Sequence, residues 1–340
     1  MKMIRWLFWP FSLIYATIMF ARNKLFDWQI LNSHTPPVFS IGVGNLSAGG
    51  TGKTPTIAYL LETFKGQKIA VLSRGYGRKT KGYFQVSESE STSSVGDEIK
   101  MLFDQYHHLA SFHVCENRVE GTIKILERFP DTKLLLFDDV YQHRYIKPHV
   151  LLLLSSAGEP YFNDHILPTG NLREGRSGAK RADAVVITKL SEKEDRMALK
   201  SQIKMQRPLY FAEEILSLAE NINGDVLPVN SKVFAFSGLA KNDVFANALR
   251  KHYQIHGFKN FKDHHQYQKS EILEMMSAYT PLVTTAKDYV KIKELLNENE
   301  LSNVFVANQK VQIESQNGHS LGDWLKSLFN NFQSSHGLQS

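Results

Sequence analysis

Ser47-Ala48-Gly49-Gly50-Thr51-Gly52-Lys53-Thr54 is the stretch of this sequence with the plainest chemistry. Three glycines, a lysine and a threonine in this order suit a loop that turns backbone N–H groups toward phosphate oxygens. Lys53 is placed to reach β- and γ-phosphates, and the Thr54 hydroxyl to ligate magnesium. The apolar runs Val38–Val43 before it and Thr56–Leu61 after it predict strand, glycine loop and helix, the setting such a loop requires. One residue departs from the strict pattern: Ser47 stands where a first glycine is usual. The loop predicts nucleotide binding, and leaves open whether the phosphate is passed on or only hydrolysed.

Four further groups of residues could join that chemistry. Leu134-Leu135-Leu136-Phe137-Asp138-Asp139 is an apolar strand ending in two acids, which after a phosphate loop places carboxylates near magnesium. Gln142, His143 and Arg144 follow on the same edge. Ser73-Arg74-Gly75-Tyr76-Gly77-Arg78-Lys79 reads either as an anion-binding loop or as a solvated basic turn. Leu167–Glu174 pairs Arg173 with Glu174 on a Pro/Gly loop. Asp263-His264-His265 and Asp97 could supply a base for a hydroxyl acceptor near neutral pH. Adjacent His264 and His265 lack the spacing of a helical zinc pair, so no metal beyond magnesium is expected.

The elements that must position these groups read as α/β. The 340 residues suit two α/β domains, and 42% hydrophobic with 22% charged residues is ordinary for a globular chain. A net charge of +6 suits phosphates or an anionic surface without choosing between them. The single cysteine, Cys115, excludes an internal disulfide and a cysteine metal cluster. Continuous apolar runs at 69–73, 112–115, 134–137, 150–154 and 184–188 predict strands buried on both faces, hence a mostly parallel, doubly wound sheet. A smaller α/β unit is expected after Arg207-Pro208, with strands near 233–238, 282–285 and 304–307 and an amphipathic helix over 242–252. The expected divisions are 1–33, 34–207 and 208–335, with a cleft between the two α/β domains.

The N-terminal run Trp6–Ala21 carries no charge and is flanked by Lys2, Arg5, Arg22 and Lys24. As a helix it would be roughly 24 Å long against a hydrocarbon core of ~30 Å. A helix lying in the leaflet interface suits that length and the basic flanks better than a span, a cleaved signal or a core helix.

Together the motifs resemble those of the tetraacyldisaccharide 4′-kinase family, the lipid A 4′-kinases of Gram-negative inner membranes. The resemblance rests on Gly44–Pro55, Ser73–Arg78, Gly96-Asp97-Glu98, Asn117-Arg118, Asp138–Arg144, Leu167–Glu174, Arg181-Ala182-Asp183, Asp263-His264-His265 and Ala286-Lys287-Asp288. The chain departs from it at Val140, Tyr141, Asn171 and Gly175, and Ser47 fits it. The resemblance implies transfer of the ATP γ-phosphate to the 4′-hydroxyl of a tetraacyl disaccharide 1-phosphate, giving lipid IVA. It implies ATP and Mg²⁺ as cofactors, and attachment through the N-terminal helix to the cytoplasmic face of the inner membrane. No nucleic acid and no required protein partner are implied. Lys53, Asp97, His264 and Asp139 would be catalytic, with Asp97 as base. Gly49, Gly50, Thr51, Gly52, Lys53, Thr54, Arg118 and Arg173 would hold ATP. Thr54, Asp138, Asp139 and Glu174 would serve the metal, and Arg74, Tyr76, Arg78 and His143 the lipid.

Two rivals share the glycine loop. Partition or targeting ATPases place lysine just before the paired glycines, where this chain has Ala48. A membrane-tethered nucleotide switch that recruits a partner needs no hydroxyl-activating pair, so Asp97 and His264 argue against it.

Overall fold

The computed structural model describes residues 5–190, 194–203, 206–239, 242–263, 265–279, 281–314 and 319–337. After a short 3-10 turn at Trp6–Phe8, helix α1 (Trp9–Asp27) runs on past the charge-free stretch to include Arg22, Lys24 and Asp27. Among the described residues no helix is long and apolar enough to cross a membrane. One face of α1, carrying Ser12, Tyr15, Asn23 and Phe26, is docked on the body, while Phe11, Ile14, Ile18 and Phe20 of the helix and Leu7 of the preceding turn point outward.

The body begins with β1 (Phe39–Asn45), helix α2 (Lys53–Thr63), β2 (Ile69–Ser73), β3 (Phe84–Gln85), helix α3 (Asp97–Tyr106) and β4 (Ala110–Val114). Helix α4 (Arg118–Arg128), β5 (Leu134–Phe137), β6 (Val150–Ser156), β7 (Ala184–Thr188) and β8 (Leu209–Leu216) follow. The chain then builds β9 (Lys232–Ser237), β10 (Gln254–Asn260), β11 (Leu282–Thr285), helix α5 (Ala286–Lys293), β12 (Val304–Ala307), β13 (Gln309–Ile313) and helix α6 (Leu321–Ser335). The larger sheet has the order β13-β8-β7-β6-β1-β5-β2-β4-β3, parallel except at its two edges, β3 and β13. The smaller sheet, β10-β9-β11-β12, is parallel throughout.

β1 lies mid-sheet with every residue buried, as a strand between parallel neighbours and covered on both faces is. Helix α6 covers one face of it: Phe39 meets Phe329 and Phe332 with ring centroids 5.6 and 5.5 Å apart. The division expected at residue 208 is corrected here. β8 pairs in parallel with β7, β13 pairs antiparallel with β8, and α6 packs on β1, so these pieces of 208–335 belong to the larger unit. The run Leu209–Ala212 is as continuously apolar as the strands before it, and it is buried for the same reason. The smaller unit is therefore an insertion between β8 and β13. Its helix α5 packs against α3, with Lys293 3.4 Å from Asp104.

Candidate active site

The glycine loop joins β1 to α2 at the carboxyl edge of the sheet, where open α/β folds bind ligands. Gly52 caps α2 in the left-handed region, with φ of 81°, and Gly49 has φ of 114°. Ser47 is not in that region, so no glycine is required there; its backbone instead bridges to Leu172. Asn45 Nδ2 donates to the Ser47 carbonyl at 2.7 Å and the Thr188 hydroxyl to the Thr51 carbonyl at 2.9 Å. The carbonyls are thus tied inward. Among the described residues no acceptor takes the N–H groups of Gly49 to Thr54. A Cβ on Gly49 would meet nothing within 4 Å, so the space above the loop is open. Open amides at a helix N-terminus fit a polyphosphate.

β5 delivers the two acids. Asp138 is buried; its Oδ2 accepts from the Ser73 hydroxyl at 3.0 Å, and its Oδ1 has no partner among the described residues. Burial, then the charges of Glu98 and Asp139, push its pKa up to about 6. A buried, unpaired carboxylate oxygen facing other acids is the environment a divalent cation relieves. The Thr54 hydroxyl donates to Glu98 Oε2 at 3.4 Å, bringing a second acid beside it. Thr54 and Asp138 therefore fit magnesium. No group of three histidines, cysteines or acids among the described residues could hold a metal alone, as suits an ion bound largely by phosphates and water.

Asp139 adopts φ of 47°, and its side chain faces Lys53 of the loop. Both its oxygens lie 3.1 Å from Arg173 Nη1, and Lys53 Nζ is 3.6 Å from Oδ1. Burial raises its pKa, but Lys53 and Arg173 outweigh that and leave the carboxyl below its usual range. Lys53, Asp139 and Arg173 thus meet in one cluster beside the loop.

Three expected roles change. Glu174 is 1% exposed and accepts from Arg181 twice at 2.8 Å, from Asn23 at 2.8 Å and from Gln142 at 3.0 Å. Its oxygens are fully used, so it is no metal ligand in this arrangement. Arg118 is buried and donates to the carbonyls of Cys115, Glu116, Asp138 and Asp139, bracing the acids from behind instead of reaching a phosphate. Arg78 turns inward to Glu116 and the Gly82 carbonyl, both at 2.6 Å, and closes its own loop.

Arg74 and Tyr76, by contrast, are exposed at the tip of that loop, as an anion-binding reading needs. His143 lies near Arg118, Arg22 and Arg74; burial first, then those three cations, lower its pKa to about 4, so its ring is neutral. Asp97 opens helix α3 and is buried, with Lys291 Nζ of α5 3.4 Å from its Oδ2. Lys287 Nζ is 3.1 Å from Asp263 Oδ1, which brings Asp263 to the same interface. His264 lies outside the described residues. The sequence motifs assigned no role to Glu98, Asn23 or Lys291. For Lys291 a signal existed: it follows Lys287 by four residues, which places both cations on one face of the helix.

A glycine loop with open amides, a paired-acid strand end and a second unit bringing a buried acid's partner to the site define a P-loop phosphotransferase. The profile of the Tetraacyldisaccharide-1-P 4′-kinase family, LpxK, matches residues 4–330. A tetraacyldisaccharide 4′-kinase of Cytophaga hutchinsonii is 39% identical over 305 residues, covering 86% of this chain and 87% of that protein. One from Flavobacterium psychrophilum is 33% identical over 330 residues, covering 91% and 95%. A solved LpxK structure from Aquifex aeolicus, described as in complex with ATP, superposes with a TM-score of 0.79 at 30% identity, covering 97% of this chain and 99% of that one. The chain belongs to the tetraacyldisaccharide 4′-kinase family.

Proposed function

We propose that this chain transfers the γ-phosphate of ATP to the 4′-hydroxyl of a tetraacyl glucosamine disaccharide 1-phosphate, giving lipid IVA. The observation that carries the reading, beside the family match, is Asp97 at the mouth of α3 near the Thr54–Glu98 pair, where an acceptor hydroxyl could meet the phosphate end of the loop. The open amides of Gly49–Thr54 bind the phosphates and Lys53 neutralises the transferring group. Thr54 and Asp138 would hold magnesium, which would supply charge neutralisation on the phosphate oxygens when bound. Asp97 accepts the hydroxyl proton as the new O–P bond forms and the bond to the β-phosphate oxygen breaks, releasing ADP. His264 assists it. Arg74, Tyr76 and His143 line the side from which the lipid enters.

The outward face of α1 attaches the enzyme to the cytoplasmic face of the inner membrane. Leu7 is 76% exposed, and Phe11, Ile14 and Ile18 are each 60% exposed on one side of the helix, an apolar surface suited to a leaflet. A groove of about 300 Å³ between α1 and residues 164–176, walled by Trp6, Trp9, Leu13 and Ile166, opens beside that face and gives an acyl chain a way in.

Labelled ATP incubated with the tetraacyl disaccharide 1-phosphate in detergent micelles tests the reaction: label must appear in the lipid. Label found only as free phosphate would favour the ATPase reading. Replacing Leu7, Ile14 and Ile18 with serine must reduce sedimentation with anionic vesicles if α1 is the anchor.

A further inference from the structure

Glu174 stands where a metal ligand was expected and serves as a joint. Its four hydrogen bonds come from three separate parts of the chain: Asn23 on α1, Gln142 after β5, and Arg181 before β7. Gln142 passes the connection on. Its Nε2 also donates to the Asn45 carbonyl at 2.9 Å, its Oε1 accepts from Arg173 at 3.4 Å, and its carbonyl accepts from Arg22 of α1 at 3.2 Å. Arg173 holds Asp139, while its own carbonyl accepts from the Tyr15 hydroxyl of α1 at 2.8 Å. The Arg173 N–H meanwhile donates to the Leu46 carbonyl at 2.7 Å, and the Ala48 N–H to the Asn171 carbonyl at 2.7 Å. Helix α1 is therefore wired, through a few hydrogen bonds around one buried carboxylate, to the strand end that begins the glycine loop and to Asp139. A buried carboxylate that loses one of its donors is costly to keep in place, so the joint holds as a unit.

We propose that Glu174 is a positioning residue that locks α1 to the phosphate site, so that the seating of this helix sets the geometry of Asn45, Asp139 and Arg173. The proposal rests on the kinase reading, but on neither the identity of the base nor the depth at which α1 meets a lipid surface. Coupling of this kind is reciprocal. Nucleotide bound at the loop steadies α1, and loosening α1 at Asn23 weakens the phosphate site.

The test compares the full chain with Asn23→Ala, Glu174→Gln and the double variant. kcat is expected to fall by about 10²-fold in each single variant, the size of effect a misplacement of about 1 Å produces, with KM for the lipid unchanged. The double variant should be no worse than the more damaged single one, because both cut the same joint. Amide hydrogen exchange supplies a readout independent of turnover. ADP with magnesium should slow exchange over residues 9–27 in the wild-type chain and in neither variant, a difference that a purely structural role would not produce. Asn23→Ala keeps the test open should Glu174→Gln fail to fold. The proposal is overturned by an unchanged kcat in Asn23→Ala, by slowing that is absent in the wild type or persists in the variants, or by a Glu174→Gln defect that extra magnesium repairs. Absence of lipid phosphorylation in the wild type would sink the kinase reading instead, leaving the exchange result to judge the joint.

Discussion

Both units of the molecule contain a parallel sheet in which a central strand runs through glycine into a helix, and the two junctions are built differently. After β1, the amides of Gly49 to Thr54 have no acceptors among the described residues, and a Cβ on Gly49 would point into open space. After β9, the Gly238 N–H donates to Asp288 Oδ2 at 3.0 Å and the Leu239 N–H to Asn242 Oδ1 at 3.0 Å. A Cβ on Gly238 would stand 3.0 Å from Asp288 Oδ1 and 3.2 Å from the Tyr267 hydroxyl. The second junction already holds a carboxylate where the first leaves room for a phosphate. A strand–glycine–helix turn becomes an anion site only when the fold withholds internal acceptors from its N–H groups.

Removing the charge that completes the open junction should have the largest effect. Lys53→Ala is expected to lower phosphate transfer by about 10³-fold or more, read from label passed from ATP to lipid. Asp288→Asn, at the closed junction, should lower Tm and leave KM for ATP alone; a comparable rise in that KM would erase the contrast. Next comes the acceptor side. Asp97→Asn should reduce kcat by about 10²- to 10⁴-fold, the usual range for a general base, with ATP affinity retained in equilibrium binding. Smaller still is the pair of glycine substitutions. Gly238→Ala should cost about 1–3 kcal/mol in chemical denaturation through overpacking, without touching nucleotide binding. Gly49→Ala meets no neighbour, but its φ of 114° is strained for any side chain, so KM for ATP should rise.

The smallest effect separates the buried sheet from the site. His113 and His143 have pKa values lowered from 6.5 to about 3 and about 4, burial being the first cause of each. Between those values and 6.5 the unfolded chain binds more protons than the folded one. Their contribution to stability is complete above pH 6.5 and is lost as pH falls through that window. Denaturation midpoints measured from pH 7 to pH 4 should drop less steeply in His143→Gln and His113→Phe than in the wild type. Equal slopes would show that neither ring is held neutral.

The larger sheet was legible because its strands are continuous apolar runs, and the loop because glycines, lysine and threonine carry their geometry in their types. Local pattern could not reveal that β8 and β13 flank an insertion. An apolar run such as Leu209–Ala212 reads the same in either sheet, and only long-range pairing assigns it. Asp138 and Asp139 could be read as candidates from the sequence because they end a strand. Glu174 and Arg118 carry the right charge at the right place in the sequence, yet their side chains turn to internal partners, a matter of rotamer and neighbours that motif spacing does not encode. The same limit left Glu98, named only as part of a motif, without a role, because its approach to Thr54 and Asp138 depends on how α3 sits beside α2.

Helix α6 has a bearing on how the chain is made. The core of the larger sheet is closed on the β1 face by Phe329 and Phe332, near the far end of the sequence, while the smaller sheet is complete once β12 exists. During synthesis the insertion can therefore acquire its fold before the unit that surrounds it. The nucleotide loop leaves the ribosome well before α6, so one side of its supporting strand stays uncovered until that helix follows.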